Sequence, residues 1–180
     1  MRAIFVLIIL CLLGGCKSSS LDFNKDYPMM KDVSHVYQKV DFAVAYDLFT
    51  EGTGIILLGF DSNKYYCPYC HTVIPLLNEV ASEVNYPKVY YLDIYDMRMK
   101  KTKDYQSLLD LIDSQIDDLL IKDDELTLVV PDVYFIKDGV IKGHHIATIY
   151  DDENNFIINL NEEEQNVLKD IYKNLFSLIN

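Results

Sequence analysis

The sequence predicts one α/β domain, a sheet covered by helices on both faces. Two observations carry that expectation. The run Ile55-Ile56-Leu57-Leu58, closing at Phe60, is apolar throughout, whereas a strand with one wet face alternates; a continuous run fits the centre of a sheet buried on both sides. Beyond it, Val73, Leu77, Val80, Ala81 and Val84 recur at the spacing of one helix face.

The N-terminus reads as an export leader. Arg2 precedes the apolar run Ala3 to Leu13, and Leu13-Gly14-Gly15-Cys16 places small residues before a cysteine. The run is shorter than the roughly 20 residues a spanning helix needs. Cleavage before Cys16 is expected, making 1–15 a signal peptide. The pattern resembles a bacterial lipobox, which implies a diacylglycerol on the Cys16 sulfur and an extracytoplasmic, membrane-anchored protein. An ordinary secreted protein with an incidental Cys16 is the alternative, and the polar Lys17-Ser18-Ser19-Ser20 suits either. Residues 16–32 lack a clear period and are expected to form the tether, leaving 33–180 as the folded domain.

The chain carries 16 Lys and Arg against 28 Asp and Glu, a formal charge of −12. Such a surface repels phosphate backbones and argues against nucleic acid as a partner. With Cys11 in the leader and Cys16 given to lipid, Cys67 and Cys70 remain as a pair. Cysteines this close together enclose too short a loop to constrain the unfolded chain, so their value is chemical.

From residue 33 onward the elements follow in order. Val33 to Val40 reads as a first strand. Asp41 caps a short helix carrying Phe42, Ala45, Tyr46 and Phe49, and Gly52 and Gly54 end it before the strand Ile55 to Phe60. A polar loop, Asp61 to Lys64, and Tyr65-Tyr66 lead into Cys67-Pro68-Tyr69-Cys70-His71. A helix opening on Cys-x-x-Cys puts the first sulfur among unpaired amides at the positive end of the helix dipole, where a thiolate is stabilised. Cys67 is then the attacking sulfur and Cys70 the resolving one. Pro68 suits a first turn, where its missing N–H is no loss.

These residues resemble the thioredoxin superfamily. Pro75 matches the proline that kinks the active-site helix, and Val130-Pro131-Asp132-Val133-Tyr134-Phe135-Ile136-Lys137-Asp138-Gly139 matches the cis-proline, strand and hairpin pattern, followed by a last strand Val140 to Ala147. The resemblance implies a thioredoxin fold with a central mixed sheet, a cis Pro131 against the sulfurs, and Val130, Pro68 and Tyr69 at the substrate groove. A closing helix is expected from an Asn161 cap, boxed by Glu164, to about Ile179.

Two departures stand out. The family's buried aspartate is replaced by Gly59, and its tryptophan before the first cysteine by Tyr66. His71, four residues after Cys67 on a helix, is one candidate to favour the thiolate; a solvated surface histidine is the other reading. The interval Val89 to Val130 holds a strand to Ile94, a basic turn Arg98 to Lys103 and an inserted helix from about Asp104 to Ile121, most resembling the bacteriocin transport accessory proteins.

The expected function is a thiol-disulfide oxidoreductase acting on exported proteins, leaning towards reduction or isomerisation. It would need a membrane redox donor or acceptor but no cofactor. Three rivals use the same residues. Cys67-x-x-Cys70-His71 also meets the c-type haem signature, with Met97 or Met99 opposite His71; the buried strand, the β-rich C-terminal half and the prolines at 75 and 131 speak against it. A Cu(I) or Zn site could use both thiolates with His71, His144 or His145, although adjacent histidines on a strand point to opposite faces. A binding protein could use Tyr65, Tyr66 and Tyr69 as a contact surface.

Overall fold

The computed structural model describes residues 22–122 and 124–179; the leader and Cys16 lie outside them. Order begins earlier than the sequence suggests. Phe23–Asp26 forms a one-turn helix, α1, whose N-cap Asp22 accepts from the Asn24 amide at 3.1 Å. A 3-10 turn, Pro28–Met30, follows. Phe23, Tyr27 and Met30 are buried, with Phe23 stacked on Tyr37 at 4.4 Å and edge-on to Tyr91 at 5.1 Å. The tether expected over 16–32 is therefore corrected from Asp22 onward. This segment is an outer layer of the domain, fastened by an ion pair between buried Asp26 and Lys39 at 2.6 Å.

The sheet follows. Strand β1 (Tyr37–Lys39) leads through α2 (Phe42–Thr50) to β2 (Gly54–Gly59), and β2 leads through α3 (Pro68–Glu83) to β3 (Val89–Asp93). Both β1 and β2 pair with β3 in parallel, which requires crossover connections, and α2 and α3 supply them. Asp41 caps α2 as expected, accepting from the Val44 amide at 3.1 Å. Next come α4 (Tyr95–Met99), α5 (Lys103–Asp113) and a two-stranded hairpin, β4 (Leu120–Lys122) with β5 (Glu125–Thr127). The chain then returns through β6 (Asp132–Lys137), β7 (Val140–Ile146) and α6 (Glu162–Phe176).

The order β1-β3-β2-β6-β7, with β6 antiparallel to β2 and β7 antiparallel to β6, makes the mixed sheet that was expected. Strand β2 lies at its centre, and all of its residues are buried. One face is covered by α3 and α6, where Phe176 meets Phe135 edge-on at 5.2 Å. On the other face Phe49 of α2 meets Tyr134 at 5.3 Å. The β6–β7 turn is Asp138-Gly139 with φ of 52° and 72°. A β carbon on Gly139 would stand 2.1 Å from the Thr50 carbonyl oxygen, so this tight turn against α2 needs glycine.

Three boundaries differ from expectation. The first strand starts at Tyr37, not Val33. The inserted helix stops at Asp113, because the Gln115 side chain ties the chain to the sheet: it donates to the Phe49 and Gly139 carbonyls at 3.3 and 3.2 Å and accepts from the Ile141 amide at 2.8 Å. Residues expected to end that helix instead form β4, and Asp124, at φ 64°, helps turn the chain into β5. The Asn161 cap and Glu164 box are present, but α6 ends at Phe176. The short helix α4 takes in Arg98 and Met99 of the expected basic turn, and Lys103 opens α5. No helix among the described residues is long and apolar enough to cross a membrane.

The last strand ends at Ile146, one residue short of the expected Ala147, and residues 147–160, of which 148–160 carried no expectation, form an arm between β7 and α6. The Ala147 amide donates to the Pro131 carbonyl at 2.7 Å, the Ile157 amide to the Ile149 carbonyl at 2.9 Å, and Tyr150 and Phe156 face each other across an isolated bridge. At its far end the Thr72 hydroxyl of α3 donates to the Ile158 carbonyl at 2.8 Å.

Candidate active site

Strand β2 delivers the chain to the top of the sheet, and the loop 61–66 carries it into α3. Cys67 is the N-cap of that helix, with Pro68 in its first turn, and the Cys70 amide donates to the Cys67 sulfur at 3.2 Å. The two cysteines are disulfide-bonded, with Cα atoms 5.3 Å apart. Cys70 is fully buried and Cys67 nearly so, at 5 % exposure. Any approach to the pair is therefore through Cys67, at the end of α3 where amides and dipole favour negative sulfur.

The Val130–Pro131 peptide bond is cis. The Val130 carbonyl oxygen lies 3.9 Å from the Cys67 sulfur, and Pro131 is buried beside it. The chain start of β6 and the helix start of α3 thus meet at the pair, which brings together Cys67, Cys70, Pro68, Val130 and Pro131. Tyr69, half-buried, meets Phe156 of the arm at 6.0 Å.

His71 packs among tyrosines. Its ring packs against Tyr66 at 4.7 Å and edge-on to Tyr27 at 5.7 Å, and its buried Nε2 has no hydrogen-bond partner. Burial pulls its pKa below the ordinary imidazole value. With the pair closed, burial therefore disfavours the charged form of this ring.

The space under the site is aromatic. A β carbon at Gly59 would stand 2.8 Å from Tyr91 Cε2 and 3.4 Å from the Tyr27 hydroxyl. Two tyrosines therefore fill the place where the resemblance would put an aspartate. The Tyr27 hydroxyl donates to the Phe60 carbonyl at 2.5 Å. Burial pushes both phenols well above their ordinary range, so neither is a base at neutral pH. Tyr27 was missed in the sequence because it fell in the stretch assigned to the tether.

Among the described residues, Asp26, Asp61 and Asp93 bring carboxylate oxygens within 4.8 Å of one another. Lys39 at 2.6 Å from Asp26 and Lys64 at 2.7 Å from Asp93 already hold that cluster. Burial raises the Asp26 pKa despite the Lys39 ammonium beside it.

His144 and His145 point to opposite faces. His144 stacks on Tyr134 and lies between two carboxylates, Nδ1 3.0 Å from buried Asp132 and Nε2 3.0 Å from Asp118. Burial opposes its charge, but the two aspartates outweigh burial and raise its pKa to about 9. His145 bonds the Thr148 carbonyl at 3.0 Å and meets the Tyr172 ring edge-on. Both ring nitrogens of His144 are thus engaged by carboxylates.

No protein-family model matches the chain. No curated protein matches it. Among solved structures it is similar to thioredoxin O2 from Arabidopsis thaliana in the oxidized state, with 15% identity, a TM-score of 0.45 and coverage of 79% of this chain and 99% of that one. It is also similar to thioredoxin O1 of the same plant in the oxidized state, with 15% identity, a TM-score of 0.40 and coverage of 63% and 86%. The strand order, the parallel and antiparallel pairings, the cysteine pair opening α3 and the cis proline before β6 together make this a thioredoxin fold carrying a disulfide-bonded Cys-x-x-Cys pair.

Proposed function

We propose that the chain is an extracytoplasmic thiol-disulfide oxidoreductase, held on the membrane by lipid at Cys16 and acting on exported proteins. One observation carries the chemistry: a closed Cys67–Cys70 pair at a helix N-terminus, with the Val130 carbonyl and cis Pro131 against the outer sulfur. The compartment rests on the leader and the Gly15-Cys16 junction in the sequence. The Cys-Pro-x-Cys motif and the inserted segment before β6 keep the likeness to bacteriocin transport accessory proteins within this reading.

In the reducing direction the Cys67 thiolate attacks one sulfur of a substrate disulfide, and the other substrate sulfur leaves as a thiolate. Cys70 then attacks the Cys67 sulfur, its proton passing to the departing substrate thiolate. Substrate gains two electrons and the pair loses two, closing the disulfide seen here. A membrane-bound donor must reopen it. The reverse sequence oxidises substrate thiols, and isomerisation needs only the first half and its return.

The test is a pair of cysteine variants on a protein disulfide such as insulin. Cys67→Ser is expected to abolish exchange, whereas Cys70→Ser is expected to accumulate a mixed disulfide with substrate, visible by mass. Exchange that survives Cys67→Ser contradicts the reading. For the anchor, the expected mass of the exported chain is that of residues 16–180 plus diacylglycerol; an unmodified Cys16 removes it.

A further inference from the structure

The arm 147–160 is built into both walls of the redox site. One end is tied to the Pro131 carbonyl by the Ala147 amide, the other to α3 by the bond from Thr72 to the Ile158 carbonyl. Between them, three rings run outward from the cysteine motif. Tyr69, the second of the two residues between the cysteines, meets Phe156 at 6.0 Å, and Phe156 stacks on Tyr150 at 4.2 Å. Tyr150 is 53% exposed, and on the opposite side of the motif Tyr65 and Tyr66 are 54% and 65% exposed. Tyr65 and Tyr66 each pack one side inward, on Phe60 at 5.8 Å and on His71 at 4.7 Å, and their exposed sides, like that of Tyr150, offer amphipathic contact area.

The charge of this arm is one-sided. Its tip is Asp151-Asp152-Glu153, all exposed, held in a turn by the Asp151 carboxylate, which accepts from the Glu153 and Asn155 amides at 3.0 and 2.8 Å. Those three are the arm's charged residues, none of them basic, and Glu162, Glu163 and Glu164 follow in the first turn of α6, on a chain of net charge −12. A negative field beside an aromatic strip selects the approach of positive, partly apolar partners.

We propose, resting on the oxidoreductase reading, that the arm is the substrate-selecting wall. It takes an extended, basic polypeptide segment with an aromatic or aliphatic side chain next to the reacting cysteine. Anionic small disulfides such as oxidised glutathione are correspondingly poor substrates.

The experiment uses the reduced exported protein, leader removed and Cys16 lipidated, freed of dithiothreitol, and three pyridyl disulfide probes. Two are peptides with a phenylalanine beside the cysteine, flanked by lysines in one and glutamates in the other; the third is neutral dithiodipyridine. Cys67 attacks the peptide sulfur, pyridinethione leaves and is read by absorbance, and Cys70 releases the peptide thiol as the pair closes. Each rate is divided by that probe's rate with mercaptoethanol, which removes intrinsic reactivity.

The expected result is a lysine peptide at least about tenfold faster than the glutamate peptide at low salt, the ratio falling towards one as salt screens the field. Asp152→Asn with Glu153→Gln, both exposed, is expected to lower that ratio severalfold. Phe156→Ala is expected to slow the lysine peptide relative to dithiodipyridine. Equal corrected rates for the two peptides, or a ratio untouched by the double variant, overturns the proposal while leaving the oxidoreductase reading in place. Failure of dithiodipyridine itself to react overturns both.

Discussion

Gly59 shows how a single position redirects the chemistry around it. With Tyr91 and Tyr27 packed where its side chain would be, aromatic rings fill the position at which the resemblance puts a carboxylate, and Tyr27 serves structure by bonding the Phe60 carbonyl. Tyr27→Phe leaves that carbonyl without this donor and is expected to cost about 1–2 kcal/mol in urea unfolding. Thiol exchange measured at neutral pH should change little, since a phenol held above its ordinary range gives up no proton there. A large fall in exchange rate without a fall in stability would instead make Tyr27 part of the chemistry.

His144 makes a prediction of its own. Its folded pKa, about 9, stands above the roughly 6.5 of an unfolded histidine. The protonated ring's pairing with Asp132 and Asp118 therefore contributes fully below about pH 6.5 and is lost as pH rises through 9. On the order of 2 kcal/mol is involved, discounted because Asp118 is largely exposed. His144→Gln is expected to be clearly less stable than the parent at pH 6, with the gap narrowing by pH 10; a gap independent of pH would remove the charge from the account. The alternation of His144 and His145 was legible in the sequence, because a strand's period is two. Their partners were not, since Asp118 lies on a loop whose path only the tertiary structure sets.

At the scale of elements, the N-terminal layer was the clearest misreading. Phe23, Tyr27 and Met30 stand at helical spacing and could have been read as a buried stripe, but Asp22, Asn24, Lys25 and Asp26 interleave them and mask the pattern. The buried charge is explained only by Lys39, a distant partner. Phe23→Ala is expected to destabilise the domain by about 3–4 kcal/mol, as for other buried aromatics. An effect below ~0.5 kcal/mol, the level of a surface change, would restore the tether reading. The inserted helix failed for the opposite reason. Ile116, Leu119 and Leu120 continue an apolar spacing past Asp113, yet Gln115 bonds to α2 and β7 in preference to another helical turn.

At the scale of the whole molecule, the architecture was legible where burial is symmetric. An unbroken apolar β2 declares a central strand, the helix after Cys67 declares its crossover, and Asp138-Gly139 declares the last hairpin. The cis Val130–Pro131 bond was carried by resemblance and is present. The arm over 147–160 was not legible, because it is held by backbone bonds and a pair of stacked rings with no periodic signal. The site's core could be read from five residues of sequence; its walls come from chain segments far apart in sequence.

The most direct test of the account is the thiol-disulfide equilibrium of the Cys67–Cys70 pair in the isolated protein against dithiothreitol and glutathione, with thiols counted. The account predicts a single reversible two-electron couple, within the range spanned by thioredoxin at about −270 mV and strong oxidases at about −120 mV. A value near the lower end fits the reducing or isomerising direction favoured here. A pair that does not cycle reversibly between dithiol and disulfide contradicts the central claim.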